Sequence, residues 1–340
     1  MKKTLVLLLC VALMLSVAVG CSSDTGSSSS SSSSSSSTQA EGFKLKGNVE
    51  FVVPYSPGGG SDLYARIAAD IIQQNGWVDQ AIMVVNKPGG GGSVGDSYTA
   101  SKKGSNETIT TYVSGQVTSQ LMNNTPVTFR ELTPICNLAM DEYTIGVLKS
   151  SPYQTIEEFL EAAKNNPGTI TVGGSGKGTE DELVTGLMEK VIGIDLEYVS
   201  FNSSSEVLSA MLGGHIDAGI YNPNEILSQY QAGEVTLLAA FGPERIALFP
   251  DVRTFTEIGY PDVVFQQFRG IAGAPGMAPE AVQFWADVFK KVIESDRWKT
   301  EYLDKNGLTS KYIAGDELVQ FLTKEEAKYR DILVSIGAIQ

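Results

Sequence analysis

The chain has 340 residues and a formal net charge of −14, with one histidine. Such an acidic balance argues against nucleic acid and against an anionic membrane surface as partners. It leaves room for an anionic ligand, because fixed backbone dipoles can outweigh net charge inside a cleft.

Residues 1–20 read as an export signal: Lys2 and Lys3 precede an apolar run over 5–19. Ala18-Val19-Gly20-Cys21 resembles a bacterial lipobox, in which cleavage leaves Cys21 as a lipid-modified N-terminus. An uncleaved anchor or an ordinary signal peptidase site are the alternatives. Residues 22–38 are almost pure serine and read, within 21–42, as a disordered tether with a reach of roughly 25 Å. No second apolar run is long enough to span a bilayer. Cys10 leaves with the signal and Cys21 carries lipid, so Cys136 has no partner for a disulfide and the exported domain must rest on its core.

From residue 47 onward, strand-like and helix-like runs alternate. Strands are expected at 49–53, 82–86, 109–113, 144–148, 170–172, 197–200, 218–221 and 237–241. Helices are expected at 62–74, from 92 to 100, and at 155–165, where Ile156, Phe159, Leu160 and Ala163 share a face. Further helices are expected at 179–191, 205–212, 224–232, 279–294 and 316–336, and an extended run at 263–272. This is the pattern of open α/β sheets, which place ligand loops at strand C-termini. Five polar, glycine-bearing or hydroxyl-bearing loops follow strands, at 56–61, 87–95, 114–116, 173–178 and 201–204. They suggest one cleft shared between two lobes.

The loop Pro54-Tyr55-Ser56-Pro57-Gly58-Gly59-Gly60-Ser61-Asp62 is the most informative. Set between a strand and a helix start, it is either a tight βα turn or an anion cradle of backbone N–H groups at a helix N-terminus. Two other runs mimic nucleotide motifs. Gly90-Gly91-Gly92-Ser93-Val94-Gly95 fits G-x-G-x-x-G, but Glu107 lies in a loop and not at the end of a second strand. Gly173-Gly174-Ser175-Gly176-Lys177-Gly178 lacks the first phosphate-loop glycine, replaced by Thr171, and the hydroxyl after lysine, replaced by Gly178. Both are better read as further backbone donors. Catalysis finds little support. His215 stands alone after two glycines, no Cys/His cluster has metal-ligand spacing, and Ser175 and Lys177 lie two apart in a glycine loop.

These motifs, in this order, resemble the substrate-binding proteins of tripartite tricarboxylate transporters, the TctC or Bug family. The first loop matches at Tyr55, Pro57, Gly58, Gly59 and Asp62, followed by Ala65-Arg66. A second, Asn-x-Pro-Gly-x-Gly-Gly, matches at Asn86, Pro88, Gly89, Gly91 and Gly92. Leu212-Gly213-Gly214-His215-Ile216-Asp217, the run from Leu248 to Glu257, and Ala274, Pro275 and Pro279 complete the likeness, which covers nearly all of 47–340. The resemblance implies a type II periplasmic-binding-protein fold, with two α/β lobes joined by two crossover segments around a ligand cleft. The expected lobes are 43–141 plus 265–340 and 142–264. It also implies a small carboxylate ligand, held by backbone N–H groups of the two glycine loops, and a membrane permease that recognises the closed form. No cofactor is expected, and the receptor is expected to act as a monomer. An exported hydrolase on a similar fold and a ligand sensor for a signalling receptor are the alternatives.

On this reading Tyr55, Ser56, Gly58, Gly59, Gly60 and Ser61 clamp a carboxylate, and Gly89, Gly90, Gly91 and Gly92 form a second wall. Ser114 and Gln116 line the floor. Ser175, Thr179, Asn202 and Ser203 approach from the second lobe, and Asn222 reaches in from a strand end. Asp62 either caps its helix or accepts a ligand hydroxyl or amine. Arg269 is a hinge-side charge or a salt-bridged one. Family members often carry Tyr-Lys-Gly where this chain has Phe201-Asn202-Ser203. Amide and hydroxyl groups in place of an ammonium argue against a highly charged, citrate-like ligand.

Overall fold

The computed structural model describes residues 43–123, 125 and 127–340. The expected signal, Cys21 and the tether lie outside the described residues. The chain opens with β1 (Val49–Val53), α1 (Gly60–Gln74), β2 (Ile82–Asn86), a 3-10 turn at Gly90–Gly92, α2 (Ser93–Ser101), β3 (Thr108–Val113), α3 (Ser114–Asn123) and β4 (Thr133–Asp141). It continues with β5 (Thr144–Leu148), α4 (Ile156–Asn165), β6 (Thr171–Ser175), α5 (Glu180–Met188), β7 (Glu197–Phe201), α6 (Ser204–Leu212), β8 (Ala218–Tyr221), α7 (Pro223–Gln231) and β9 (Val235–Ala240). It ends with β10 (Gln267–Gly273), α8 (Pro279–Ile293), a short α9 (Asp304–Asn306), β11 (Thr309–Ala314) and α10 (Gly315–Ser335).

Two sheets result. One has the order β11-β4-β10-β3-β1-β2 and the other β7-β6-β8-β5-β9. The chain leaves the first sheet after Asp141 and returns to it at Gln267. β1 runs parallel to β2 and β3, whereas β10 inserts antiparallel between β3 and β4. That register sets Arg269 opposite Val113 on one side and Ala139 on the other. A residue from the return segment thereby reaches the C-terminal edge of β3, where ligand loops gather.

The helices bury apolar stripes against these sheets. In α1, Tyr64, Ala65, Ala68, Ile71 and Ile72 are buried, at the spacing of one helical face. Tyr64 Oη also donates to the Gly270 carbonyl at 2.8 Å, which fixes α1 to β10. α4 begins with a capping box, as Thr155 and Glu158 exchange side-chain and backbone bonds. α10 buries Leu318, Leu322, Tyr329, Ile332 and Leu333 and packs on α3 and β4 and on α5, the helix that follows β6 of the second sheet. Cys136 is buried and free. No helix among the described residues is long and apolar enough to cross a membrane.

The structure adds α3, β4, α9 and β11 to the expected set. The segment 114–116, expected as a loop, is the first turn of α3, and this changes which of its side chains face the cleft.

Candidate functional site

Loops at the C-terminal ends of β1, β3, β6, β7 and β8 converge on a cavity of about 1120 Å³. The first wall is residues 55–61. α1 starts there with Gly59 as its N-cap and no side chain bonded to its first amides among the described residues. The N–H groups of the opening turn are therefore free, and the helix dipole adds partial positive charge. Gly58, at φ 83°, turns the chain in the left-handed region open to glycine.

Asp62 holds this loop from below and neither caps α1 nor lines the cavity. Its Oδ2 accepts the Gly58 N–H and Arg66 Nε, both at 2.9 Å, and its Oδ1 accepts Asn86 Nδ2 at 2.9 Å. Burial acts to raise its pKa, but the bonds from Arg66, Gly58 and Asn86 outweigh burial and hold it at about 2. A carboxylate depressed on folding stabilises the native state above its unfolded pKa, near 3.9, and loses that contribution as the pH falls toward 2. Asp62→Asn is thus expected to cost about 2 kcal/mol at neutral pH. In urea titrations the gap from wild type should narrow between about pH 4 and pH 2. A gap that stays constant with pH would disprove the charge-based account.

In the second wall, Gly90 and Gly91 face the cavity. Gly89 and Gly92 stand behind them: the Gly89 carbonyl accepts the N–H groups of Gly92 and Val94 at 3.2 and 3.3 Å. A Cβ on Gly92 would meet Gln116 Cγ at 2.7 Å, in a backbone already at φ 103°. Ser119 Oγ donates to the Gly90 carbonyl at 3.1 Å and ties the wall to α3.

The floor differs from expectation. Ser114 and Gln116 are fully buried and line no part of the cavity. Ser114 Oγ accepts the Phe268 N–H at 2.9 Å. Gln116 Oε1 accepts the Val113 N–H at 2.8 Å, and its Nε2 donates to Asp96. Burial pushes Asp96 up to about 7 against the bonds from Gln116 and Gln120. Because the segment is helical, Gly115, Thr118 and Ser119 face the cleft instead.

Arg269 supplies a charge to this floor. Its guanidinium lies 3.2 Å from the point a Cβ on Gly60 would occupy, and it pairs with Asp141. Burial acts against the charged form, but the Asp141 carboxylate outweighs it and raises the pKa, so Arg269 is held cationic. The pair runs between Arg269 Nη2 and Asp141 Oδ2, and Arg269 Nε and Asp141 Oδ1 have no hydrogen-bond partner among the described residues.

From the second sheet, Ser175, Thr179, Asn202, Ser203 and Asn222 all line the cavity. The side chains of the first four are bonded within their own loops and the helices that follow, and Asn222 reaches the first crossover. Ser175 Oγ donates to Asp181, not to Lys177, at 2.9 Å, and Thr179 Oγ1 donates to the Ser175 carbonyl at 2.7 Å. Asn202 Nδ2 donates to Glu206 at 3.0 Å, Ser203 Oγ accepts the Glu206 N–H, and Asn222 Nδ2 donates to the Glu142 carbonyl at 2.7 Å. Sequence reasoning did not reach Tyr143, Glu180, Asp181 and Gln267, which also line the cavity. The signal for Glu180 and Asp181 was their place directly after a glycine loop at a strand end.

Two sheets bridged by two segments, with a cavity walled by loops at their strand ends, define a type II periplasmic binding protein. The model of the tripartite tricarboxylate transporter family receptor, TctC, matches residues 64–338. The chain belongs to this family of solute-binding receptors. It is similar to the UPF0065 protein in the gbd 5′ region of Cupriavidus necator, at 28% identity over 85% of this chain and 87% of that one. A TctC solute-binding protein from Polaromonas has a similar structure, with a TM-score of 0.75 and 27% identity over 85% of this chain and 98% of that one. MatC from Rhodopseudomonas palustris, solved with bound malate, shares the fold at a TM-score of 0.66 and 20% identity over 84% of this chain and 98% of that one.

Proposed function

We propose that the chain is an extracytoplasmic solute-binding lipoprotein, anchored through Cys21, that captures a small carboxylate by hinge closure. It then passes the ligand to a tripartite tricarboxylate-type permease. The observation that carries this reading is the convergence of Arg269 with the free amides of the first α1 turn in one cavity. A buried cation and a helix N-terminus together favour a compact anion. The bound malate of MatC agrees with a carboxylate.

The lobes would be 43–141 plus 265–340 and 142–264, turning about the two crossovers. Glu142 in one crossover accepts Gln266 Nε2 of the other at 2.6 Å, which would make the pair move as one hinge. Ligand contacts to both lobes then favour closure by differential affinity. Thermal unfolding against a carboxylate panel tests the reading. A ligand at 100 times its Kd should add about 2.7 kcal/mol of stability. Stabilisation by sugars or cations with none by any carboxylate would overturn it.

A further inference from the structure

We propose that Glu180 sets the ligand class: the cavity takes a carboxylate whose far end carries a hydrogen-bond donor (an ammonium, amide or hydroxyl) and discriminates against dicarboxylates. The proposal rests on carboxylate capture at the first glycine loop and adds what the opposite wall selects.

That wall is the start of α5. Thr179 lends it no capping side chain, so its first amides would by themselves attract an anion. The residues carrying those amides are Glu180, Asp181 and Glu182, however, so the turn answers its own dipole. Two of these carboxylates are occupied locally. Asp181 Oδ2 accepts the Ser175 N–H and Oγ, and Glu182 Oε2 accepts the Gly178 N–H. Glu180 differs. It is 8% exposed, it lines the cavity, and Gln267 Nε2, at 3.0 Å from its Oε1, is its one side-chain donor among the described residues.

A second observation falls at the same place. Tyr55 Oη is buried without a hydrogen-bond partner among the described residues. It and the two Glu180 carboxylate oxygens lie 3.2, 3.4 and 3.7 Å from the point a Cβ on Gly115 would occupy. A hydroxyl and a carboxylate with spare acceptor capacity therefore face one spot on the cavity wall. Arg269 favours the charged form of Glu180 only in part, since it is paired with Asp141 and burial still raises the Glu180 pKa. A second ligand carboxylate there would meet like charge in a poorly solvated space, whereas a donor would complete both groups.

Titration calorimetry on the mature chain at neutral pH tests this with matched acids. One set is succinate, succinamate, 4-hydroxybutyrate and 4-aminobutyrate; the longer set is adipate, adipamate, 6-hydroxyhexanoate and 6-aminohexanoate. The tightest donor-bearing acid should bind about 10-fold or more tightly than the diacid of its length. Glu180→Gln should bring the diacid to within about twofold of it. Tyr55→Phe should weaken the donor-bearing acid by about fivefold without lowering the melting temperature, and it carries the test if Glu180→Gln does not fold. A diacid that binds wild type best, or a ratio unmoved in folded Glu180→Gln, overturns this proposal alone. Absence of binding by every acid in both sets overturns it together with carboxylate capture.

Discussion

Arg269→Met is expected to lose on the order of 3–5 kcal/mol of stability and about 100-fold or more in carboxylate affinity. Both effects have one source. Asp141 has a side chain 5% exposed, and Arg269 is its ion-pair partner. Removing the cation leaves a charge stranded in the interior, which costs far more than the pair itself contributes. The affinity falls because the guanidinium stands against Gly60, where the proposed cradle would hold the ligand. The two effects separate in the double variant Arg269→Met/Asp141→Asn. It should regain most of the lost stability in urea denaturation while calorimetry still finds weak binding. Recovery of affinity along with stability would show that Arg269 serves the fold alone.

Gly95→Ala should be the next most damaging single change, at about 2–3 kcal/mol, with a fall in ligand affinity. Gly95 lies inside α2, where alanine would ordinarily improve helix stability by about 0.5–1 kcal/mol. Here its Cβ would sit 2.7 Å from Pro54 Cα and Cβ. Pro54 is backbone at the root of the first glycine loop, so the clash is relieved only by moving the loop or α2. Gly47→Ala is the control, since nothing lies within 4 Å of its new methyl group. Equal melting temperatures for the two variants would show that the loop yields without cost.

Much of this was legible in the chain itself. The glycine loops could be read because glycine at a strand-to-helix junction has few other uses, and the alternation of runs placed most strands. β4 was not legible: its residues from Ile135 to Asp141 are buried throughout, so no period of two appears, and Pro134 argues against a strand. α3 was hidden by its composition, since Ser-Gly-Gln-Val-Thr-Ser-Gln is polar and carries a glycine. Reading it as a loop assigned Ser114 and Gln116 to the cavity, when helical geometry turns them inward and brings Gly115, Thr118 and Ser119 forward. Glu180 escaped notice for a different reason. Acidic residues in a first helical turn are ordinary, and only the fold shows this one walled in against Tyr55 and Gln267.

The proposed cradle at 60–61 and 90–91 is made of main-chain amides, which every residue except proline supplies. Point substitution therefore has little purchase on the anchor itself, whereas the facing wall is made of side chains that single codon changes can replace. Such a division suits the receptor to redesign as a sensor. Libraries confined to a few positions around Glu180 would scan ligand chemistry while the proposed anchoring end, and the closure proposed to follow from it, stays constant.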